Sequence, residues 1–303
     1  MLKTKTNYSV FVFLCLSITI SCATAKNGEK QINPTFTSYL DYAKLAQVAY
    51  ESEAKIKQSL SKTQYTLTKF NTLPIGKVSY FLATDEKNKH QILSVRGTAN
   101  LENALVDMAI SLKPEPKTNI LLHDGFAQSA LGIYEDVKPQ LKKDFTIDTT
   151  GHSLGGAVAV ILAMLLDKDA YSLKQTITFG QPKVTNIAGA KEFSHLKITR
   201  VVSPKDVVPL VPPVDPTDLD NVDIFWHLGT EVILYEGQDY AKLTGIKSML
   251  RATKILTSKP SEENLEEHKM TNYVSRLDLK TAVATEIEYK QKFSIFGGMF
   301  SSD

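Results

Sequence analysis

A serine between two glycines, with a β-rich run before it and a long apolar run after it, constrains the fold of this chain most. Gly151 and Gly155 lie two positions on either side of Ser153, and residues 145–150 have the composition of a strand. Residues 155–166 read GGAVAVILAMLL, as expected of a buried helix packed on a sheet. Larger side chains at the glycines would clash with the strand and the helix. The segment therefore predicts a sharp strand–turn–helix with Ser153 at the turn.

The rest of the chain alternates between short β-rich runs and helical patterns. Further β-rich runs lie at 78–84, 91–95, 175–179, 197–202 and 231–235, and helical patterns lie at 39–60, 126–142 and 154–168. Strands that alternate with helices favour an α/β fold with a mainly parallel central sheet flanked by helices. Residues 204–223 are rich in Pro and Asp and predict a loop, while 236–290 give mixed signals that place no element.

Length and charge exclude several classes of protein. The chain has 303 residues, which suffices for one α/β domain, and 35 basic against 33 acidic residues give a net charge of +2. A nucleic-acid-binding protein would need a clustered basic surface, so we expect no nucleic acid partner. No motif implies a metal or an organic cofactor. We expect residues 26–303 to form a single domain.

The N-terminus predicts export. Lys3 and Lys5 precede a mostly apolar stretch at 8–20, which is followed by small residues, the order of a secretory signal. This stretch is shorter than the about 20 residues that cross a bilayer as a helix. Residues 1–25 are therefore expected to be a cleaved signal peptide.

Two cleavage sites compete in this signal. The apolar run ends on Ser21-Cys22, which resembles a bacterial lipobox, so that Cys22 would carry a lipid and anchor the protein to the cell envelope. Ala23-Thr24-Ala25 is an ordinary cleavage site, and a cut after Ala25 would release a secreted or periplasmic soluble protein. We favour the lipoprotein. Both cysteines, Cys15 and Cys22, lie in this region, so the mature domain has no internal disulfide.

Ser153 has the surroundings of a nucleophile. A serine hydroxyl reacts poorly until a base removes its proton. The start of the following helix would place backbone N–H groups and a positive dipole end beside a reacting carbonyl. The alternative is a tight turn without chemistry, because a G-x-S-x-G pattern also occurs by chance. The strand before Ser153 and the apolar helix after it favour the nucleophile.

Further motifs follow in an order that is typical of one family. They are Arg96-Gly97-Thr98 with Asn103 and Asp107, His123-Asp124-Gly125-Phe126, GHSLGGA at 151–157, Thr178-Phe179-Gly180-Gln181-Pro182, Asp206-Val207-Val208-Pro209 with Pro212 and Pro213, Trp226-His227-Leu228-Gly229 with Glu231-Val232, and His268-Lys269-Met270 with Tyr273. Over residues 40–275 the chain thus resembles the class 3 (fungal-type) triacylglycerol lipases of the α/β-hydrolase superfamily. Ala104 stands where this family usually has Trp, and Val207 where it commonly has Pro.

The base should be a histidine late in the chain. In α/β-hydrolases the order is serine, acid, histidine, and only His227 and His268 follow the plausible acids. His227 adjoins Trp226 before a strand and is better interpreted as structural. His268 lies where the resemblance implies the catalytic base. Its alternative is a solvated histidine on a charged helix, since four glutamates lie at 262–267.

The acid that orients the base is predicted to be Asp206. It follows the strand at 197–202, and catalytic acids occur at such strand ends. Its rivals lie in the Pro-rich loop and would otherwise be solvated turn formers: Asp215, Asp218, Asp220 and Asp223. Asp206 would hold the tautomer of His268 and stabilise its imidazolium.

The oxyanion hole is predicted from two segments. Leu154 would supply one backbone N–H, and Thr98 a second. The resemblance implies that the Thr98 hydroxyl also donates and that Asp107 orients it; a loop-capping Thr98 is the alternative. Residues 99–113 would form a lid or groove wall, or a surface helix packed on the core. His123 and His152 are interpreted as structural supports.

These residues predict a serine ester hydrolase that acts on lipids at a lipid–water interface. Ser153 would attack a carboxylic ester, and water activated by His268 would hydrolyse the acyl-enzyme. A phospholipase of the A type and a short-chain carboxylesterase need the same triad, as would an exported peptidase. A non-catalytic binding protein of the cell envelope is the alternative from another class.

Overall fold

The computed structural model describes residues 32–98, 111–212, 224–252, 261–289, 293–295 and 298–300. Its strands are β1 Thr66–Thr72, β2 Ser79–Asp85, β3 His90–Val95, β4 Leu112–Glu115, β5 Ile120–His123, β6 Thr146–His152, β7 Ser172–Phe179, β8 Thr185–Asn186, β9 Ile198–Val202, β10 Phe225–Trp226, β11 Thr230–Leu234, β12 Asp239–Leu243, β13 Thr285–Glu286, β14 Phe293–Ile295 and β15 Gly298–Phe300. Its helices are α1 Pro34–Val48, α2 Glu53–Leu60, α3 Asp124–Val137, α4 Leu154–Lys168, α5 Ile187–Glu192, α6 Gly245–Ala252, α7 Glu262–Glu267 and α8 Met270–Lys280.

The central sheet has nine strands within these ranges, in the order β1-β2-β3-β6-β7-β9-β11-β12-β13. Strands β3, β6, β7, β9 and β11 pair in parallel. Antiparallel pairs lie toward the edges, between β1 and β2, β2 and β3, and β11 and β12. The predicted α/β fold with a mainly parallel sheet is confirmed. Because the five parallel strands run the same way, their carboxyl ends meet at one edge of the sheet, where α/β proteins carry their sites.

Helices cover both faces of this sheet. Strand β3 shows the alternation, because Leu93 packs in the cluster that contains α3 and α4, while Ile92 packs in the cluster that contains α1 and α8. Every residue of α4 from Gly155 to Leu166 is buried, as its apolar sequence predicts. Among the helices of the described ranges, none is both long and apolar enough to span a lipid bilayer.

The helix predicted over 39–60 is in fact two helices. α1 begins earlier, at Pro34, because the Asn33 side chain accepts hydrogen bonds from the amides at the helix start. It ends at Val48, and Ser52 has an extended backbone, with φ −69° and ψ 157°, before α2 begins. The apolar spacing continues through this break, so the sequence pattern did not reveal it. The break gives Tyr50 a position outside both helices.

The other predicted elements differ at their ends. The helix predicted over 126–142 stops at Val137 and gives way to a 3₁₀ turn at 138–140, because Pro139 has no N–H for a longer helix. Edge strand β1 was not predicted. The region 236–290, for which no element was predicted, contains β12, α6, α7, α8 and β13 in its described part.

Candidate active site

Ser153 lies at the turn between β6 and α4, with a backbone φ of 59° that non-glycine residues rarely adopt. Its N–H donates to the carbonyl of Phe179 on the neighbouring strand, at 2.9 Å. A side chain at Gly151 would collide with the backbone of Gly155, and one at Gly155 with the carbonyl of Val95. The glycine spacing is therefore required by close approaches of backbone, as the sequence predicts.

Asp206 and His268 form a buried pair. The Nδ1 atom of His268 lies 2.7 Å from Oδ2 of Asp206, and both residues are at most 3% exposed. His268 is thus not a solvated side chain, although it follows the acidic helix α7. Asp206 also accepts the N–H of Val208 on Oδ1, at 2.9 Å. Since a carboxylate only accepts, Nδ1 of His268 carries the proton and Nε2 keeps a free electron pair.

Tyr273 is a member of this cluster whose role the sequence did not reveal. Its hydroxyl donates to Oδ2 of Asp206 at 2.6 Å and accepts from the N–H of Ser203 at 3.1 Å. Tyr273 lies on α8, five positions after His268, and is fully buried. The motif that contains His268 also contains Tyr273, but only the fold brings its hydroxyl to a carboxylate 67 residues away in the chain.

Backbone at the carboxyl ends of β6 and β7 joins the Asp–His pair to the serine turn. Gly180 follows β7, and a Cβ there would lie 2.7 Å from Oδ2 of Asp206 and 2.7 Å from Cε1 of His268. His152 precedes Ser153, and its Nε2 lies 2.7 Å from the backbone carbonyl of His268. Within the described part of the chain, Ser153 Oγ and His268 Nε2 are buried atoms without a hydrogen-bond partner.

The segment predicted to form an oxyanion hole runs beside the same turn. A Cβ at Gly97 would lie 3.0 Å from Cβ of Ser153 and 2.6 Å from the carbonyl of His152. Thr98 follows and is exposed, and Leu154 is the first residue of α4. The first amides of a helix have no partner within it, so the start of α4 is suited to an anionic oxygen.

Several predicted residues lie outside the described part of the chain. They are Cys22 and the rest of the signal peptide, Asn103, Ala104, Asp107, Pro213, and the rival acids Asp215, Asp218, Asp220 and Asp223. Of the predicted lid at 99–113 only 111–113 are described, and Leu112 already belongs to strand β4.

Two further histidines of the motifs, His227 and His123, are buried, and burial disfavours the charged form of each. Nε2 of His227 lies 2.7 Å from the carbonyl of Pro209, and burial lowers the pKa of His227 well below its ordinary value. His123 stacks on Phe126 with ring centroids 3.9 Å apart, and burial lowers the pKa of His123 to about 4. These environments agree with structural supports. Among the described residues, no group of three His, Cys, Asp or Glu side chains is arranged to hold a metal ion.

The parallel sheet, the serine at a strand–helix turn and the Asp–His pair at the carboxyl edge define an α/β-hydrolase. Comparison with known proteins narrows this class. The family Lipase (class 3) matches residues 92–215. Over these residues, which include Ser153 and Asp206, the chain is similar to this family.

Fungal lipases are among the relatives of this chain. A secreted mono- and diacylglycerol lipase 1 from Fusarium solani is 30% identical over 146 residues, which cover 45% of this chain and 44% of that protein. A lipase from Rhizopus oryzae is 27% identical over 222 residues, which cover 65% of this chain and 56% of that protein. The chain thus spans about half the length of these curated relatives.

Solved structures agree with the fold. The crystal structure of a lipase from Rhizopus microsporus var. chinensis superimposes with a TM-score of 0.57 at 26% identity, covering 67% of this chain and 76% of that chain. The Lip2 lipase from Yarrowia lipolytica has a TM-score of 0.57 at 27% identity, covering 68% and 81%.

Proposed function

We propose that this protein hydrolyses carboxylic esters of lipids, with Ser153 as nucleophile, His268 as base and Asp206 as the orienting acid. The observation that carries the proposal is the buried 2.7 Å contact between Asp206 and His268, beside the turn that contains Ser153. The names of the relatives, which are lipases and mono- and diacylglycerol lipases, support the substrate class.

The reaction proceeds in two halves. Ser153 Oγ attacks the ester carbonyl while Nε2 of His268 takes the hydroxyl proton, and the tetrahedral intermediate collapses as that proton passes to the departing alcohol. The acyl group is then bound to Ser153. A water molecule gives its proton to Nε2 and attacks the acyl-enzyme, and the proton returns to Ser153 as the fatty acid leaves. Asp206 stabilises the imidazolium that forms twice.

The negative oxygen of each intermediate needs donors. We assign the backbone N–H of Leu154 at the start of α4 and the backbone N–H and hydroxyl of Thr98, with Asp107 orienting that hydroxyl. Gly97, which lies against the serine turn, supports this assignment because it brings the segment at 96–98 beside Ser153. The loss of one such donor typically costs about 3 kcal/mol of transition-state stabilisation.

We further propose that the protein is exported, with residues 1–25 as signal and 26–303 as one hydrolase domain. Relatives named as secreted lipases support export. Attachment to a membrane through a lipid on Cys22 is the finer proposal. Cells grown with a clickable fatty acid should label the wild-type protein and not Cys22→Ala. Absence of the label from both proteins would favour cleavage after Ala25.

Fluorophosphonate labelling tests the nucleophile. The wild-type protein should become labelled, and Ser153→Ala should not. Ser129→Ala is the matched control, because Ser129 is also buried but bonds the Gly125 carbonyl on α3, and it should be labelled like wild type. A label that persists in Ser153→Ala, or is absent from the wild type, would overturn the assignment.

A hydrolysis panel tests the substrate class. Triacylglycerols, phospholipids and soluble short-chain esters should each be measured below and above the concentration at which they aggregate. We expect the highest rate with acylglycerols above that concentration. A preference for phospholipids would make the protein a phospholipase of the A type, and simple saturation on monomeric esters alone would make it a carboxylesterase.

A further inference from the structure

The ring of His152 connects three segments that are far apart in the sequence. Its Nδ1 lies 2.8 Å from the hydroxyl of Tyr50, in the break between α1 and α2, and its Nε2 lies 2.7 Å from the carbonyl of His268. The rings of His152 and His268 are 4.4 Å apart, at an interplanar angle of 34°. His152 is 5% exposed, so both ring nitrogens depend on these partners.

The partners determine where the protons lie. A backbone carbonyl only accepts, so Nε2 of His152 must carry a proton and donate a hydrogen bond to the carbonyl of His268. Burial, and after it the coulombic interaction with His268, lowers the pKa of His152 well below its ordinary value, so the ring is neutral. In a neutral ring with a proton on Nε2, Nδ1 is an acceptor. The Tyr50 hydroxyl is therefore the donor, and it selects this tautomer.

The same hydroxyl touches the oxyanion segment. Burial raises the pKa of Tyr50, and an interaction with the backbone N–H of Gly97 opposes this rise. A side chain at Gly97 would collide with the Tyr50 oxygen. The Tyr50 hydroxyl therefore lies between Gly97, which precedes Thr98, and His152, which precedes Ser153.

We propose that Tyr50 and His152 are positioning residues that hold the backbone of His268 and thereby the position of its Nε2 relative to Ser153. This inference rests on the proposed function. Without the Tyr50 hydroxyl, the proton of His152 can move to Nδ1. The bare Nε2 would then face the carbonyl of His268, and two acceptors repel. The backbone of His268 would shift, and displacements of about 1 Å in an active site can lower rates about 100-fold.

The neutral state of His152 has its own role in this arrangement. The ring of His268 becomes an imidazolium in both halves of the proposed reaction. A neutral ring whose centroid is 4.4 Å away does not repel that charge, whereas a protonated one would. The Tyr50 donor and the carbonyl acceptor together stabilise the form of His152 that the reaction requires.

The first test compares two Tyr→Phe substitutions. Tyr50→Phe removes the hydroxyl that donates to His152. Tyr65→Phe is the matched control, since Tyr65 is also half-buried and its hydroxyl lies 2.8 Å from Nδ1 of another histidine, His90, at the amino end of β3. The assays are kcat and KM on a soluble ester, the rate of fluorophosphonate labelling, and the melting temperature.

We expect Tyr50→Phe to lower kcat and the labelling rate about 10- to 100-fold with KM nearly unchanged. Tyr65→Phe should keep the wild-type kcat, even where its melting temperature falls as much as that of Tyr50→Phe. Equal kcat values in the two variants would overturn the inference. Absence of labelling in the wild type would instead contradict the proposed function, so the two failures are distinguishable.

The second test distinguishes the effect of the His152 tautomer from the effect of the volume of its ring. The amide nitrogen of Gln reaches the position of a histidine Nε2, whereas that of Asn reaches only the position of Nδ1. His152→Gln should therefore keep a donor for the His268 carbonyl and retain more activity than His152→Asn. Because an amide has no tautomer to select, adding Tyr50→Phe to His152→Gln should change kcat by less than twofold. Effects that multiply in the double variant, or an Asn variant as active as the Gln variant, would refute the positioning role.

Discussion

Tyr273 donates a 2.6 Å hydrogen bond to Oδ2 of Asp206, the same oxygen that lies 2.7 Å from Nδ1 of His268. Burial, and after it the negative charge of Asp206, raises the pKa of Tyr273 well above its ordinary value, so the phenol remains a donor. The Asp–His pair of the proposed triad is therefore a three-residue cluster. Tyr273 holds the carboxylate, and the carboxylate holds the imidazole.

Tyr273→Phe should lower kcat about 10-fold. The hydrogen bond to the charged Asp206 is expected to contribute about 1.5–3 kcal/mol. The variant loses part of this energy as stabilisation of the transition state, in which His268 is charged. The N–H of Ser203 also loses its acceptor, so urea unfolding should show lower stability by about 1–3 kcal/mol. The control is Tyr240→Phe, which removes a 2.9 Å tyrosine–carboxylate bond to Glu286. A kcat equal to that of the control would contradict the prediction.

Gly180→Ala should reduce activity through a steric contact with the Asp–His pair. The new Cβ would lie 2.7 Å from Oδ2 of Asp206 and 2.8 Å from Nδ1 of His268, so that hydrogen bond must lengthen or bend. Gly237→Ala is the matched control, because Gly237 has a φ of 62° against 57° for Gly180 and its Cβ would meet nothing within 4 Å. Both variants carry the same backbone strain, of about 1–2 kcal/mol.

We expect kcat of Gly180→Ala to fall at least about 10-fold relative to Gly237→Ala, by analogy with the loss that follows from small displacements of catalytic groups. The measurement is kcat on a soluble ester at a temperature at which both variants are folded. If the two substitutions lower kcat alike, strain rather than contact with Asp206 and His268 is the cause.

Asp206→Asn should lower kcat about 10⁴-fold while the protein remains folded. An Asn side chain can present its amide N–H to Nδ1 of His268, which favours the tautomer with the proton on Nε2 and removes the electron pair that accepts from Ser153. The control is Asp136→Asn, since Asp136 also accepts a hydrogen bond from a buried tyrosine, Tyr80. Tyr80 lies on β2 and is not part of the Asp–His pair. Labelling of Ser153 by a fluorophosphonate should slow in the first variant and not in the second. Equal labelling rates would remove Asp206 from the proposed triad.

The sequence predicted the local part of the site. Ser153, its glycines and the buried helix lie within a short segment, and the backbone contacts that require each glycine involve immediate neighbours or the adjacent strand β3. The alternation of strands and helices predicted the α/β fold for the same reason, because periodicity is a local signal. Edge strand β1 was missed because no residue of it is buried, so its sequence has no clear apolar side.

The contacts between distant segments could not be predicted from local patterns. Tyr50 is 102 residues from His152, and Asp206 is 62 residues from His268. Asp206 was predicted from its position directly after a strand, and His268 from the order of motifs in a known family. Tyr50 belongs to none of those motifs, and the apolar spacing around it predicted an uninterrupted helix. Its role depends on a break in that helix, at Ala49–Ser52, which only the packed fold reveals.

His123 should make the stability of the fold depend on pH. Burial lowers the pKa of His123 to about 4, and both ring nitrogens are buried without a partner in the described part of the chain. The unfolded chain takes up this proton near pH 6.5. Between pH 6.5 and about 4 the unfolded state therefore binds more protons than the folded state, and stability falls as the pH falls.

His123→Phe should remove this pH dependence while keeping the stacking on Phe126, whose ring centroid lies 3.9 Å from that of His123. At pH 7 the variant should be as stable as wild type or more so, because two unpaired polar atoms are removed. At pH 4.5 it should be more stable by up to about 3 kcal/mol, since one pKa unit corresponds to about 1.4 kcal/mol. His152 and His227 are buried in both proteins, so the difference between the two curves isolates His123. Urea unfolding of both proteins at pH 7 and at pH 4.5 measures this difference. An equal loss of stability in the two proteins would show that His123 takes up no proton on unfolding in this range.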